Sequence, residues 1–250
     1  MQRALVTGAG KRLGRAMALY LAGRGFDVAV HYATSQAEAG KTAAEITAKG
    51  RKAALLQADL LKEAETELLL PRAAAALGGP ITCLVNNASI FEADDIQTAT
   101  RESWERHIGS NLRAPFVLTQ AMAGQGLQPT ADEYGEPRAT GLVVNMIDQR
   151  VHSPTPEFMS YTIAKMGLWA MTRTTAQALA PAIRVNGIGP GPTLQGQHQS
   201  EEVFAQERRD TVLERGVNLE DITAALGYFI DAPSVTGQLV CTDGGEHLKW

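Results

Sequence analysis

The sequence is short of cysteine, of long hydrophobic runs and of excess charge of either sign. It has two cysteines in 250 residues, Cys83 and Cys241, so we expect no disulfide framework and a reducing compartment. No apolar run approaches the length of a membrane span, and the apolar stretch at the N-terminus is too short for a signal peptide. With 23 basic and 27 acidic side chains and no Lys/Arg run, the chain lacks an electrostatic footprint for nucleic acid or lipid. We therefore expect a cytoplasmic protein that binds neither nucleic acid nor membrane.

The sequence also lacks histidines spaced as they are in metal sites. The histidines at positions 107, 152, 198 and 247 do not pair with cysteines or carboxylates in any spacing typical of a metal site. We therefore expect no metal.

Short apolar runs alternate with longer segments of helical composition along the chain. The expected strands are Ala4–Val6, Phe26–His31, Ala53–Gln57, Ile81–Asn86, Leu142–Met146, Ile183–Ile188 and Gln238–Cys241. The expected helices are Leu13–Arg24, Gln36–Lys49, Lys62–Leu77, Ser103–Ala123, Tyr161–Ala180 and Leu219–Ile230. Nearly continuous apolar character is typical of strands buried on both faces of a parallel sheet. The pattern predicts an α/β fold, a single-domain Rossmann-type doubly wound parallel sheet of about seven strands with helices on both faces.

Two segments depart from this alternation, and we find no linker that would divide residues 1–250 into two domains. Gly124–Thr140 combines glycine, proline and acidic residues, which predicts a lengthened, exposed connection. Gly187–Glu201 contains Gly189-Pro190-Gly191-Pro192 and predicts a long loop. A long loop beside a ligand-binding sheet edge commonly acts as a lid, so we expect a substrate lid within residues 187–216.

A glycine-rich turn follows the first expected strand. Thr7-Gly8-Ala9-Gly10-Lys11-Arg12-Leu13-Gly14 leads into a helix, whose free N–H groups and positive dipole end suit a pyrophosphate. Gly8 and Gly10 permit close backbone approach, and Gly14 lets the helix pack on the sheet. The turn predicts a dinucleotide cradle, although alone it is equally compatible with a tight connection.

The end of the second expected strand has no carboxylate. His31-Tyr32-Ala33-Thr34-Ser35 stands where dinucleotide folds place an Asp or Glu on the ribose 2′-hydroxyl of NAD. A carboxylate about 4 Å from a 2′-phosphate would cost about 4 kcal/mol at an effective dielectric of about 20, so its absence favours NADP. The side chains expected to attract the 2′-phosphate are Lys11, Arg12, Thr34, Ser35 and His31. The alternative for each cation is a solvated surface side chain.

Tyr161 and Lys165 lie four residues apart in an expected helix, on one face and close enough to interact. At about 5 Å and an effective dielectric of about 20, the ammonium would favour phenolate by about 3 kcal/mol, which lowers the pKa of the phenol toward neutrality. Such a phenol can donate its proton to a carbonyl or imine atom as hydride arrives at the neighbouring carbon. A Tyr-x-x-x-Lys pair alone is usually a surface pair, so its catalytic interpretation depends on the dinucleotide cradle upstream.

These motifs together resemble the short-chain dehydrogenase/reductase family. Residues 7–14 fit its T-G-x-x-x-G-x-G pattern, with Arg12 in place of the middle glycine, and residues 161–165 fit its Tyr-x-x-x-Lys pair. The resemblance spans essentially the whole chain and implies an NADP(H)-dependent oxidoreductase. It implies catalytic roles for Asn111, Asp148, Tyr161 and Lys165, with Asn111 supporting the lysine through a water. The implied cofactor-binding residues are Gly8, Gly10, Lys11, Arg12, Leu13, Gly14, His31, Thr34, Ser35, Asp59, Leu60, Asn87, Ala88, Ser89, Lys165, Pro190, Gly191 and Thr193.

One position points to a subgroup. The family normally has a serine thirteen residues before the tyrosine, and this chain has Asp148 there. Pteridine reductases share that aspartate, the Arg12 change and the His31-Tyr32 dipeptide. They also carry an Asn-Ala-Ser-x-Phe segment like residues 87–91, whose phenyl ring stacks the pterin, although Phe91 is equally compatible with core packing. The subgroup has an arginine where Thr34 stands, so recognition of the 2′-phosphate is expected either to be weaker here or to depend on Lys11 and Arg12.

We therefore expect an enzyme that reduces a small, pterin-like molecule of the dihydropteridine or dihydrofolate type. NADPH would supply the hydride, Tyr161 the proton, and Phe91, Asp148 and Tyr161 would contact the substrate. An acid at position 148 favours C=N reduction, because a ketone needs only a neutral donor. The alternatives are a general NADPH-dependent carbonyl reductase and a non-catalytic NADP-sensing module. The resemblance also implies a homotetramer or homodimer, with an interface on the helices of residues 103–123 and 161–180.

Overall fold

The order of strands and helices follows the expected alternation. A computed structural model of the chain describes residues 2–196 and 199–249. Its strands are β1 Arg3–Val6, β2 Asp27–Tyr32, β3 Ala53–Gln57, β4 Cys83–Asn86, β5 Thr130–Ala131, β6 Pro137–Arg138, β7 Gly141–Met146, β8 Ile183–Pro190 and β9 Leu239–Thr242. Its helices are α1 Arg12–Gly23, α2 Gln36–Ala48, α3 Glu63–Leu77, α4 Arg101–Ile108, α5 Ala114–Ala123, α6 Met159–Ala178, α7 Glu201–Arg209 and α8 Leu219–Asp231.

In the described part of the chain, seven strands form one sheet in the order β3-β2-β1-β4-β7-β8-β9. All six neighbouring pairs run parallel. The strand order reverses between β1 and β4, so a crevice opens beyond the carboxyl ends of these two strands. The expected Rossmann-type parallel sheet is therefore confirmed, and the glycine-rich turn after β1 lies where its strand order reverses.

Alternate residues of the central strands enter two different cores, which explains their nearly continuous apolar runs, whereas the edge strand β3 exposes Leu55 and Gln57. Ala4 and Val6 of β1 belong to one buried cluster together with residues of α1 and α8. Leu5, which points to the opposite face, belongs to a second cluster with residues of α3 and α5. Burial of both faces leaves little room for polar residues except at strand ends.

Three segments differ from the sequence expectation. The single helix expected over 103–123 is interrupted by a π-helical turn at Gly109–Arg113. The expected loop 124–140 contains the short antiparallel hairpin of β5 and β6. The expected loop 187–201 is partly strand, because β8 continues to Pro190. The glycines of this part of β8 lie so close to neighbouring residues that a side chain would crowd them. A Cβ at Gly187, for example, would lie 2.3 Å from Cδ1 of Ile147. Residues 201–209 of the expected lid form helix α7.

Two negative findings apply to residues 2–196 and 199–249. In that range no helix is both long and apolar enough to cross a membrane. The same residues contain no group of three or more His, Cys, Asp or Glu side chains arranged to hold a metal ion. His198 lies outside the described residues.

Candidate active site

The glycine-rich turn between β1 and α1 is closely packed. Gly8 has φ of 63°, a left-handed conformation that favours glycine. A Cβ at Gly14 would lie 2.2 Å from the main-chain oxygen of Gly8, so α1 can reach the sheet only with glycine at this position. A Cβ at Gly10 would lie 3.0 Å from Oγ of Ser35. The turn thus has the close approach of helix to sheet that a dinucleotide pyrophosphate requires.

The far side of the turn is held by the end of β4. The side chain of Asn87 donates to the main-chain oxygen of Thr7 at 2.7 Å. The main-chain N–H groups of Asn87 and Ala88 both donate to Oγ1 of Thr7 at 2.9 Å. Ser89 is exposed at the crevice just beyond. Because these bonds join the two central strands, the expected cofactor residues of both motifs lie side by side.

His31 supports the turn from beneath and is 1% exposed. Its Nδ1 accepts from the N–H of Gly8 at 3.0 Å, and its Nε2 therefore donates to the main-chain oxygen of Ala58 at 3.0 Å. Burial lowers the pKa of His31 to about 4, so the ring is neutral at pH 7. The expectation that His31 attracts a 2′-phosphate was wrong, because the ring is uncharged and covered by the turn.

The two cations of the turn are engaged with the protein. Nζ of Lys11 lies 2.9 Å from Oε1 of Glu38, and both side chains are largely exposed. Arg12 has φ of 51°, the left-handed region in which glycine is usual. Its guanidinium donates to the main-chain oxygens of Leu194 and Gln195 at 3.0 and 2.9 Å. Lys11 is thus exchangeable toward a phosphate, whereas Arg12 joins the turn to the expected lid.

Most of the remaining expected cofactor-binding residues follow the carboxyl ends of β2 and β3. Thr34 is exposed, and Ser35 begins α2 beside Gly10. Oδ1 of Asp59 accepts from the N–H of Leu61 at 3.1 Å, so Asp59 stabilises a turn before α3. Leu13 and Leu60 are partly buried against the two cores.

Tyr161 and Asp148 are joined by a hydrogen bond. Tyr161 lies in the first turn of α6 and is 5% exposed, and its hydroxyl donates to Oδ2 of Asp148 at 2.7 Å. Asp148 follows β7, and its Oδ1 accepts from the N–H of Arg150 at 2.9 Å. Lys165, also buried, donates from Nζ to the main-chain oxygen of Met146 at 2.7 Å. The expected catalytic side chains Asp148, Tyr161 and Lys165 therefore converge beyond β7.

The pKa of Tyr161 is raised, not lowered. Burial is the largest cause, and the negative charge of Asp148 adds to it. Nζ of Lys165 lies 5.5 Å from the centroid of the Tyr161 ring, and burial lowers the pKa of Lys165 itself to about 8. The expected shift of the phenol pKa toward neutrality was wrong, because desolvation and the carboxylate outweigh the groups that lower this pKa, Arg150 and Ser89. At pH 7 the phenol keeps the proton that a proton donor needs.

Phe91 is 54% exposed and lines the crevice. Its ring stacks on Phe158 at a centroid distance of 4.2 Å with planes 11° apart. It also meets Tyr161 edge to face at 4.7 Å. The guanidinium of Arg150 lies 5.3 Å from the centroid of Phe158. The exposure of Phe91 excludes the alternative of ordinary core packing and leaves an aromatic surface beside the reactive hydroxyl.

Asn111 lies in the π-helical turn and is fully buried. Its Oδ1 accepts from the N–H of Ile90 at 2.9 Å, and its Nδ2 donates to the oxygen of Ile90 at 2.8 Å. Asn111 therefore anchors the residue before Phe91.

Only the part of the expected lid that follows β8 lies outside the sheet. Pro190 is the last residue of β8, and the N–H of Gly191 donates to the oxygen of Thr242 at 3.0 Å. Thr193 is buried, and its hydroxyl donates to the oxygen of Gly191 at 2.9 Å. Oε2 of Glu246 lies 3.0 Å from the position of a Cβ at Gly191. Gln197 of this segment lies outside the described residues.

Several side chains at the site were not predicted from the sequence. Glu246, near the carboxyl end of the chain, is half-buried, and burial together with Asp148 and Asp243 raises its pKa to about 7. Phe158 was missed although it stands three residues before Tyr161, and an aromatic at that spacing from the phenol was an available signal. The other missed side chains are Asp94, Ser103, His107 and Ser160.

Comparisons with known proteins agree with this geometry. The sequence profile described as short chain dehydrogenase matches residues 2–205. The NADP-complexed crystal structure of FolM alternative dihydrofolate reductase 1 from Brucella canis is 40% identical, with a TM-score of 0.89, covering 100% of this chain and 95% of that one. Pteridine reductase 1 of Leishmania tarentolae is 33% identical, covering 98% of this chain and 96% of its own. A 3-oxoacyl-[acyl-carrier-protein] reductase FabG of Staphylococcus epidermidis is 29% identical, with 98% of both chains covered. The chain belongs to the short chain dehydrogenase family and is an oxidoreductase of that family.

Proposed function

We propose that the protein reduces a pterin-like ring of the dihydropteridine or dihydrofolate type with NADPH. The observation that carries the proposal is the hydrogen bond of 2.7 Å between the buried Tyr161 hydroxyl and Asp148. Relatives named alternative dihydrofolate reductase and pteridine reductase support the substrate class.

The chain's own residues fit a nicotinamide dinucleotide. Gly8, Gly10 and Gly14 leave room at the positive end of α1, and its first turn holds no acidic residue. The absence of a carboxylate after β2 favours NADP, and Lys11 is the cation best placed to exchange from Glu38 to a 2′-phosphate. NADPH, when bound, would supply the hydride.

Tyr161 would deliver the proton to a ring nitrogen. Its raised pKa keeps the phenol neutral, so a proton is available at Oη. Asp148 accepts the hydrogen bond of the Tyr161 hydroxyl. A carboxylate in this position can orient the hydroxyl or pass a proton from solvent to it. Lys165 would hold the nicotinamide ribose, and Asn111 would fix the adjoining loop.

Phe91 would bind the flat ring of the substrate. An exposed phenyl ring that meets Tyr161 at 4.7 Å can stack a heterocycle within reach of the phenol. Stacking of this kind contributes about 0.5–1.5 kcal/mol beyond the buried area. The described residues of the expected lid that follow β8, 191–196 and 199–216, would lie over the ring, and the bonds from Arg12 to Leu194 and Gln195 support this because they hold the segment at the cradle.

A general carbonyl reductase is the second candidate. Relatives named 3-oxoacyl-[acyl-carrier-protein] reductase and putative ketoacyl reductase favour it. Reduction of a ketone would use Tyr161 and Lys165 in the same way but would have no use for the charge of Asp148. A non-catalytic NADP sensor is the least favoured reading, because the phenol and its partners are arranged for proton transfer.

Steady-state NADPH oxidation with dihydropterins, dihydrofolate and a 3-oxoacyl ester tests the proposal. We expect turnover of the reduced pterins, with Asp148→Ser lowering their kcat/KM by about 100-fold while ketone reduction is retained. Tyr161→Phe should abolish all turnover and leave NADPH binding nearly intact. Glu133→Ser, on an exposed turn, is the matched control. Turnover of ketones without turnover of any pterin would transfer the proposal to the carbonyl reductase.

We also propose a homotetramer or homodimer in the cytoplasm. Exposed apolar side chains on α4, α5 and α6, where an interface is expected, support the assembly: Trp104, Phe116, Ile163 and Met166. The two cysteines are unpaired, as suits a reducing compartment. Light scattering should give a mass of two or four chains, and Trp104→Glu with Ile163→Glu should reduce it. A monomeric wild-type protein would contradict this proposal.

A further inference from the structure

A chain of buried polar side chains lies behind Tyr161. Asp94 follows β4, His107 lies near the end of α4, and Ser160 directly precedes Tyr161 in α6. All three are buried, and His107 is not exposed at all. Burying three polar groups together is costly unless each has a partner, so their arrangement calls for a reason.

Asp94 caps the helix that carries Tyr161. Its Oδ1 accepts from the N–H of Ser160 at 3.1 Å, and its main-chain oxygen accepts from the N–H of Met159 at 3.2 Å. Its Oδ2 accepts from the hydroxyls of Ser160 and Ser103. The first turn of α6 holds no acidic residue of its own, and Phe158 before it makes no side-chain cap. The carboxylate therefore supplies the negative charge that the N-terminus of α6 favours.

His107 connects this cap to the segment that carries Phe91. Its Nε2 accepts from the N–H of Glu92 at 3.1 Å, so the ring hydrogen is on Nδ1. Nδ1 lies 2.6 Å from Oγ of Ser160 and donates to it, and Ser160 in turn donates to Asp94. Burial lowers the pKa of His107 and so keeps the ring neutral. The neutral ring accepts at Nε2 and donates at Nδ1.

The same three residue types form nucleophilic triads in hydrolases, but this arrangement excludes that chemistry. The imidazole donates its hydrogen to the serine, whereas a general base must accept the serine's proton. The serine hydroxyl donates to the carboxylate and is buried away from the crevice. The chain of bonds can only hold groups in place.

We infer that Asp94, Ser160 and His107 form a positioning network that sets the Phe91 ring against the Tyr161 hydroxyl. Ser160 directly precedes Tyr161 in α6, and Glu92 adjoins Phe91, so the bonds of His107 to Ser160 and Glu92 bridge the two elements between which the substrate would bind. The inference rests on the proposed roles of Tyr161 and Phe91. None of the three network residues contacts the reacting atoms, so they are positioning residues.

Two conservative variants separate the hydrogen bond of His107 to Ser160 from its hydrogen bond to Glu92. In His107→Asn the side-chain amide can replace Nδ1 as the donor to Ser160 but is too short to reach Glu92. In His107→Gln the amide oxygen can replace Nε2 as the acceptor for Glu92 but leaves Ser160 without its donor. We expect His107→Asn to raise the KM for a dihydropterin about tenfold with kcat retained, since only the hydrogen bond to Glu92, beside Phe91, is lost. We expect His107→Gln to lower kcat at least about tenfold with KM retained, because small displacements of a reacting group are costly.

Controls keep a structural role apart from a positioning role. Thr172→Val removes the buried hydrogen bond from Asn145 elsewhere on α6, so it should lower the melting temperature without changing kcat or KM. Ser160→Ala serves if the His107 variants do not fold, and it should behave as His107→Gln does. NADPH affinity should stay unchanged in all of these variants.

Each outcome bears on the inference. Parallel changes of kcat and KM in both His107 variants, or wild-type kinetics with only a lower melting temperature, would overturn the positioning network. Tyr161→Phe distinguishes this failure from that of the proposed function. If Tyr161→Phe retains full turnover, the proposed proton donor is wrong whatever the His107 variants do.

Discussion

The hydroxyl of Tyr161 donates to Oδ2 of Asp148 across 2.7 Å, although the two residues belong to different elements. Asp148 follows strand β7, and Tyr161 lies in the first turn of α6. The carboxylate stands where the resemblance to the family expects a serine, so this bond replaces a neutral contact by a charged one. Its main physical effect is to hold the phenol in its protonated form.

Neutralising Asp148 should lower the pKa of Tyr161. In Asp148→Asn the negative charge that disfavours phenolate is gone, while the shape of the side chain is kept. The alkaline limb of the kcat profile should therefore move to lower pH, and ultraviolet titration should detect tyrosinate at lower pH than in the wild type. Glu133→Gln is the surface control and should leave both titrations unchanged. The charge of Asp148 also raises the pKa of Lys165, so the tyrosinate titration is the deciding measurement. A tyrosinate titration that is unchanged in Asp148→Asn would contradict the effect of the carboxylate on Tyr161.

Acid should destabilise the fold through His31. The pKa of His31 is about 4 in the fold against an ordinary value of 6.5, so the unfolded chain binds more protons between these values. Stability is thus fully present above 6.5 and is lost as pH falls to about 4, by up to about 3 kcal/mol. Urea titrations across this range should give a flatter pH slope for His31→Gln. His152→Gln, at an exposed position, is the control variant.

A methyl group at Gly14 should damage the cradle. Its Cβ would lie 2.2 Å from the oxygen of Gly8 and 2.5 Å from Nδ2 of Asn87. We expect Gly14→Ala to lower the free energy of unfolding by about 1–3 kcal/mol and to weaken NADPH binding. Gly40→Ala is the matched control in α2, where a Cβ meets nothing within 4 Å. It should raise stability by about 0.4–1 kcal/mol, because alanine is the better helix former. Equal NADPH dissociation constants for the two variants would contradict the close-approach argument.

Lys11 should contribute to the choice between NADPH and NADH. An exposed ion pair is worth about 1 kcal/mol at most, so Lys11→Met should raise the KM for NADPH about fivefold and leave that for NADH unchanged. Glu38→Gln should have the opposite effect, since it releases Lys11 from its 2.9 Å ion pair. Lys49→Met, at the exposed end of α2, is the control. A change of equal size for both cofactors would place Lys11 away from the 2′-phosphate.

Local patterns were enough to predict the strands, the parallel sheet and the pairing of Tyr161 with Lys165, whereas the place of Asp148 beside them was implied by the resemblance to the family. The central strands are short apolar runs because both of their faces are buried, and the four-residue spacing of Tyr161 and Lys165 is a property of any α-helix. The glycine turn is equally local, since the conformation of Gly8 and the clearance at Gly14 depend on residue type and sequence position.

Burial and long-range contacts required the tertiary structure. The direction of the Tyr161 pKa shift depends on desolvation and on the side chain beside the hydroxyl, and spacing along the helix carries neither quantity. His31 became a neutral support because burial lowers its pKa, although its hydrogen bond to Ala58, 27 residues away, acts in the opposite direction. His107 meets Ser160 across 53 residues, and Asp94 meets Ser160 across 66. Sequence periodicity carries information only over the length of one element, whereas these contacts exist only after helices and sheet have packed.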